Sequence, residues 1–290
     1  MTTEIVSTDR TTSAASTSTS TAHVTTRHIL HRTAGHAHGG ITRLMSPGDI
    51  GGLVKPFVFL DHFEFEGVRF PELPMHPHSG LSTHTTLLEG AMTYADSTGA
   101  SGRLQQGSVE YMQAGGGVWH TGKPEGTKVR GFQLWLALPA DLELTPAESH
   151  YIDVATIPGD GRVRVLLGSW QGLQSPVPYA QPVTYLHVRL RAGEAWRYQP
   201  AAGHDVAWLA VSEGTLRVDG QRLRRELAVL EDGNDTIDVV ADSDVEFVIG
   251  SATKHPHELA LGSYSVHTSA ATLREGEAGI RRVAAQLKQR

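Results

Sequence analysis

Short apolar runs broken by glycine-centred turns most constrain what this chain can fold into. Pro56–Leu60, Ser82–Leu88, Ala91–Asp96, Ser108–Met112 and Gly131–Leu138 are strand-length and rich in Val, Thr and aromatic residues. Asp61-His62, Glu89-Gly90 and Ser97-Thr98-Gly99 read as the turns that close them. Val163–Leu167, Thr184–Leu190, Val206–Val211, Thr215–Val218 and Val245–Ile249 repeat the style, punctuated by Gly193, Gly214, Gly220 and Gly233. Turns about every ten residues, with few helix-like charge repeats, predict an all-β sandwich or barrel. The chain has 31 glycines among 290 residues and is 39% hydrophobic, so it is turn-rich yet apolar enough for a real core. One stretch breaks the pattern. In Leu273–Gln289, Ile280, Val283, Ala284 and Leu287 fall at helical spacing, with basic residues toward the end where the helix dipole favours them. It reads as a terminal helix packed on a barrel.

The style of the first half recurs in the second, with Pro139–Ala147 as the expected connection. The division expected is a Ser/Thr-rich tail over 1–22, a first barrel over 23–145, and a second barrel with the helix over 146–290. Ser and Thr fill 13 of the first 22 positions, which predicts disorder because little there can be buried. The same stretch lacks the apolar segment of a secretory signal. There is no cysteine, so disulfides and thiolate metal ligands are excluded. A net charge of −6 without a basic run gives no support for direct nucleic-acid binding. No apolar run is long enough for a transmembrane helix, and the default expectation is a cytoplasmic protein with no membrane partner.

Sixteen histidines are available, and three stand out by spacing. His76 and His78 flank Pro77, and residues two apart on a strand point to one face. His120 lies at the end of Ala114-Gly115-Gly116-Gly117-Val118-Trp119-His120 and is expected from across the barrel. Imidazole suits iron, zinc, copper or nickel, and positions left open suit catalysis. His-x-His alone is a weak signal, and a structural role for these histidines is about as good a reading on spacing.

The surroundings add to it. His76-Pro77-His78-Ser79-Gly80-Leu81, Leu87-Leu88-Glu89-Gly90, the run from Gln106 to His120, and Gly131-Phe132-Gln133-Leu134-Trp135-Leu136 together resemble the pirin family of the cupin superfamily. Pro56–Phe63 resembles its first strand, and Gly262–Thr268 its late motif. The resemblance runs from about Arg27 to the C-terminus. It implies two tandem cupin β-barrels (a bicupin), with a metal site in the first only. It implies His76, His78 and His120 as ligands of a divalent ion, Fe2+ by family habit. It implies either a quercetin 2,3-dioxygenase acting on a small phenolic or enol substrate, or a regulatory partner of another protein. Arg43, Leu73, Met112 and Gln133 fall where a substrate pocket would be lined, and Trp135 reads as core.

The departure from the family pattern is as informative. The fourth ligand would be a Glu two residues after His120, where Gly122 stands, and the alternative cupin Glu position corresponds to Ser82. An ion held by three neutral imidazoles keeps its full charge, so affinity falls while the attraction for anionic co-ligands rises. No general base is evident. His84 is in step with His78 but too distant along an extended strand to join it, and Glu125 reads as an exposed loop residue. His255-Pro256-His257-Glu258 repeats the motif without a partner placed like His120, and is expected to bind no metal.

Overall fold

The computed structural model describes residues 26–67, 73–179 and 181–289. The tail expected over 1–22 lies outside them. Ten strands begin the chain: β1 (Ile29–Thr33), β2 (His36–His38), β3 (Ile41–Met45), β4 (Phe57–Glu66), β5 (Leu73–His78), β6 (Leu81–Asp96), β7 (Ser101–Gln105), β8 (Val109–Gln113), β9 (Val118–Ala137) and β10 (Glu148–Ile152). All but β1 form one nine-stranded sheet in the order β10-β8-β6-β9-β4-β3-β2, with β5 on β9 and β7 on β6. The sheet curls because β6 and β9 are long and bent. The first part of β6 pairs with Gly131–Ala137 and its last part with His120–Glu125, with register shifts between Leu87 and Ala91. Gly90 sits at this bulge with φ +82°, where a Cβ would run into the Lys128 carbonyl. Glu89-Gly90 is therefore a bulge inside one strand, not the expected turn. Asp61-His62 likewise lies inside β4, because each side chain finds a polar partner: Arg43 for Asp61 and Ser212 for His62.

Alternate residues of the central strands serve two faces. From β9, Phe132, Leu134 and Leu136 join Phe57 and Leu60 of β4 in a core shared with Tyr185, Trp208, Val229 and Val248 of the second half. Phe57 meets Trp208 edge-on at 5.4 Å. From the opposite face, Phe59, Asp61, Phe63, Gln133 and Trp135 line the interior of the first barrel.

The second barrel sets a six-stranded sheet against a four-stranded one. The first runs β1, 227–230, 206–213, 245–252, 183–190, 163–167; the second runs 195–198, 237–241, 216–218, 221–223. Its interior is filled by Trp170, Leu186, Trp196, Leu209, Phe247 and Ile249 among others. Three segments cross the division expected at 145–146. β1 pairs with Leu227–Leu230 of the second barrel. β10 returns to β8 of the first, so the connection lies beyond it rather than at Pro139–Ala147. The C-terminal stretch also returns to the first barrel. Ser265 bridges Ser79, and helix α1 (Ala270–Leu287), N-capped by Ser269, packs on β9. Trp119 donates its indole N–H to the Ile280 carbonyl at 3.0 Å. Among the described residues no helix is long and apolar enough to cross a membrane.

Candidate metal centre

One antiparallel strand pair assembles the three histidines. β5 lies on β9 with His76 directly opposite His120 and His78 opposite Val118. His120 thus comes from the adjacent strand, not from across the barrel. Ring centroids lie 4.4 Å apart for His76–His120 and 5.1 Å for each of the other two pairs. One ring nitrogen from each lies within 4.8 Å of the others, and this is the one such cluster among the described residues.

Their hydrogen bonds fix which nitrogen is free. His76 Nδ1 donates to the Pro74 carbonyl at 2.9 Å, and His78 Nδ1 to the Tyr264 carbonyl at 3.2 Å. His120 Nδ1 faces Glu110 Oε1 at 3.4 Å. A carbonyl or carboxylate only accepts, so each Nδ1 carries a proton, and Nε2 is the nitrogen left to bind. The Nε2 atoms of His78 and His120 are buried with no hydrogen-bond partner. Burial, then neighbouring His120, pushes His76 down to about 4, and complete burial pushes His78 well below the usual histidine range. Imidazoles oriented through Nδ1–H, two of them with buried unpartnered Nε2 atoms, are what a divalent ion requires, and the residues fit it.

His76 and His120 line a cavity of about 590 Å3, with His78 buried behind them. Its wall is apolar, from Phe63, Phe65, Leu73, Met92, Leu104 and Trp135. Phe59 and Trp135 stack at 4.0 Å. One polar row crosses five strands in register: Glu110 opposite Thr85, Thr85 opposite Gln133, Gln133 opposite Asp61, Asp61 opposite Arg43. The Thr85 hydroxyl lies 2.7 Å from Glu110 Oε2 and 2.8 Å from Gln133 Oε1. The Arg43 guanidinium grips Asp61 with two bonds of 2.9 and 3.0 Å and lies over the Phe59 ring at 4.3 Å.

Of the residues expected to line a pocket, Arg43, Leu73 and Gln133 do so. Met112 does not. It shares an inward face with Glu110 but lies one step further along β8, fully buried against Ala114 and Val118. Trp135 is packed on Phe59 and also forms wall. Glu125 is ion-paired to Arg103 at 2.6 Å, away from the histidines. His84 points to the other face, with Nε2 on the Leu166 carbonyl at 3.3 Å. In the second His-Pro-His, His255 Nε2 bonds the Leu138 carbonyl at 3.2 Å and its Nδ1 takes the His257 peptide N–H, so its nitrogens are engaged locally.

Glu110 and Met92 are among the site residues that the sequence did not announce. Glu110 is a buried carboxylate against His120; its signal was a lone charge inside Val109-Glu110-Tyr111-Met112. Burial works against its charge, and the hydrogen bond and electrostatic attraction of His120, with the Thr85 hydroxyl, more than offset that, holding its carboxyl below the usual range. Met92 explains the space at Gly122. A Cβ at residue 122 would lie 2.7 Å from the Met92 methyl, so a side chain there would have to displace this flexible thioether.

Two tandem cupin-type barrels, one filled and one hollow with a histidine cluster, define the class: a bicupin. The Pirin family model matches residues 36–136, and that of the quercetinase C-terminal cupin domain matches 166–249. A Caulobacter vibrioides pirin-like protein is 31% identical over 220 residues, covering 72% of this chain and 79% of that one. A Pseudomonas aeruginosa relative, provisionally named a quercetin 2,3-dioxygenase, is 33% identical over 210 residues, covering 67% and 73%. The crystal structure of quercetin 2,3-dioxygenase from Acinetobacter baumannii superposes with a TM-score of 0.81 at 23% identity, over 89% of this chain and 98% of that one. The chain belongs to the pirin family.

Proposed function

We propose that this bicupin is a metal-dependent oxidoreductase that joins O2 to a flavonol or a similar enol-bearing phenol, with Fe2+ as the working ion. The observation that carries this reading is the convergence of three imidazoles, each with Nδ1 engaged, beside a largely apolar cavity. A divalent ion held by His76, His78 and His120 supplies Lewis acidity toward a deprotonated enol or phenol oxygen. The protein does the rest. Phe59, Trp135, Phe63 and Leu73 offer flat apolar surface to a polycyclic ring system and exclude water from it. Gln133 and Thr85 present hydrogen-bonding groups to hydroxyls on that ring. Arg43, tied to Asp61 near the exposed Tyr264, sets the charge of the outer wall. The names of the P. aeruginosa and A. baumannii relatives point the same way.

The test is metal content per chain by elemental mass spectrometry, alongside O2 consumption with quercetin, for wild type and His120→Ala prepared with ferrous iron. Loss of both in the variant is expected. Oxygen uptake that survives His120→Ala sinks the proposal. Gly122 favours one rival: a metal-free barrel that serves as a binding partner of another protein. A wild type that holds no ion under these conditions selects it.

A further inference from the structure

The ligand set lacks a carboxylate where one is expected, yet a carboxylate is present two strands away. Glu110 leaves β8 on the face that lines the cavity, is only 5% exposed, and places Oε1 3.4 Å from His120 Nδ1. Its other oxygen is held by the Thr85 hydroxyl at 2.7 Å, so the carboxylate is clamped from both sides. The other two histidines rest on neutral backbone carbonyls, of Pro74 and Tyr264. His120 alone has an anionic partner. On the side where residue 122 would contribute, the space is closed by the Met92 methyl.

We infer that Glu110 has taken over the charge role of the missing ligand. It is a positioning residue that acts through His120. It fixes the Nδ1–H tautomer, makes Nε2 a stronger donor, and returns one negative charge to a centre whose direct ligands are all neutral. A carboxylate–histidine–metal relay of this kind sets metal affinity in known sites, and its loss weakens binding by roughly 10- to 100-fold. Met92 is the counterpart of the exchange: a side chain at residue 122 would have to displace its flexible thioether. This inference rests on the metal reading given above and adds the source of the charge.

The experiment titrates Co2+ alone into the full chain against a chromophoric chelator. Wild type is compared with Glu110→Gln, Glu110→Asp, and Glu110→Gln combined with Met92→Ala and Gly122→Glu. Wild type is expected to take one ion per chain, and Glu110→Gln to bind roughly 10- to 100-fold more weakly. Glu110→Asp keeps the charge and is expected to bind more tightly than Glu110→Gln. The combined variant, with a carboxylate at position 122 and room for it, is expected to regain at least about tenfold. Proton NMR of the Co2+ form adds a signature that simple loss of packing does not produce. Three exchangeable, strongly shifted Nδ1–H resonances are expected, and in Glu110→Gln the one from His120 moves while the other two stay. Wild-type affinity retained by Glu110→Gln overturns this inference alone, as does weaker binding by Glu110→Asp than by Glu110→Gln. A wild type that takes no Co2+ overturns it together with the metal reading.

Discussion

His78 donates its Nδ1–H to the carbonyl of Tyr264, a residue 186 positions further along the chain, at 3.2 Å. The histidine cluster of the first barrel is therefore completed from beyond the second. A buried fastening holds that late segment in place. Ser79 Oγ–H donates to Ser265 Oγ at 2.9 Å, and His267 Nε2 lies 3.0 Å from Ser79 Oγ. Glu143 accepts the Thr268 N–H and hydroxyl, both at 2.7 Å. Ser79, His267 and Glu143 lie in the order of a hydrolase triad, but each is at most 1% exposed, so they fasten rather than catalyse.

Removing the centre of this fastening should therefore be felt at His78. Glu143→Ala leaves two donors of the half-buried Thr268 without their acceptor, at a cost of about 1–3 kcal/mol in all. Urea unfolding is expected to show that loss of stability. Hydrogen exchange is expected to speed up over 262–268, and metal affinity to fall with it. Unchanged metal affinity in a clearly destabilised variant would separate the fastening from the site.

Acid should weaken the contact between the barrels, because a buried carboxylate holds its centre. Glu246 is buried between Arg130, at 2.6 Å, Arg189, at 2.6 Å, and His187, at 2.8 Å. Burial opposes its charge, but the His187 hydrogen bond and the two guanidiniums win, moving it from 4.5 down to about 2. A carboxylate depressed in the folded state contributes stability that is complete above the unfolded value and lost as pH falls through the folded one. The window is thus from about 4.5 down to about 2, and the contribution is on the order of 3 kcal/mol. Glu246→Gln is expected to flatten stability across that window while lowering it at neutral pH, because Arg130 is left buried without its closest anion. Chemical denaturation at a series of pH values reads both effects.

The strands were legible because their cues are local: β-branched runs, alternation, glycine at turns. His76 and His78 were legible for the same reason, since two residues on one strand need no knowledge of the fold. What failed depended on depth or on partners. Gly90 carries the same positive φ in a bulge as in a turn, so sequence could not tell that β6 continues. Glu110 and Met112 share a strand face, and only the closed end of the barrel decides that one meets the cavity and the other is covered. β1 carries ordinary strand residues, and nothing in Ile29–Thr33 announces that its partner lies about 200 residues away.

His84 provides the contrast that a histidine-rich chain needs. It is fully buried, with Nε2 on the Leu166 carbonyl at 3.3 Å and Nδ1 3.1 Å from the Thr86 hydroxyl. Burial pushes it down to about 4, so it is neutral at ordinary pH. His84→Leu is expected to lower stability by about 1–3 kcal/mol through the unsatisfied Thr86 and Leu166 groups. Metal per chain should stay at the wild-type value. A metal-free His84→Leu that still folds would mean that the interface between the barrels, not the three-histidine cluster alone, governs binding.

Charge at the outer wall is set by one pair, which makes its two members separable. Asp61 is buried and its carboxyl is raised by that burial, with Arg43 pulling the other way through two hydrogen bonds. An enolate or phenolate entering the cavity meets both, and the guanidinium cancels the carboxylate's repulsion. Arg43→Gln leaves Asp61 facing the ligand without its cation. Flavonol binding, followed by the quenching of Trp135, is expected to weaken roughly tenfold at neutral pH, about 1.4 kcal/mol. It is expected to recover in part at mildly acidic pH, where the unpaired Asp61 takes up a proton. Adding Asp61→Asn to Arg43→Gln removes the repulsion and should restore most of the affinity at neutral pH, with metal content unchanged throughout. If the double variant binds as poorly as Arg43→Gln, Arg43 contacts the ligand directly rather than neutralising Asp61, and the polar row ends at Gln133 as far as the substrate is concerned.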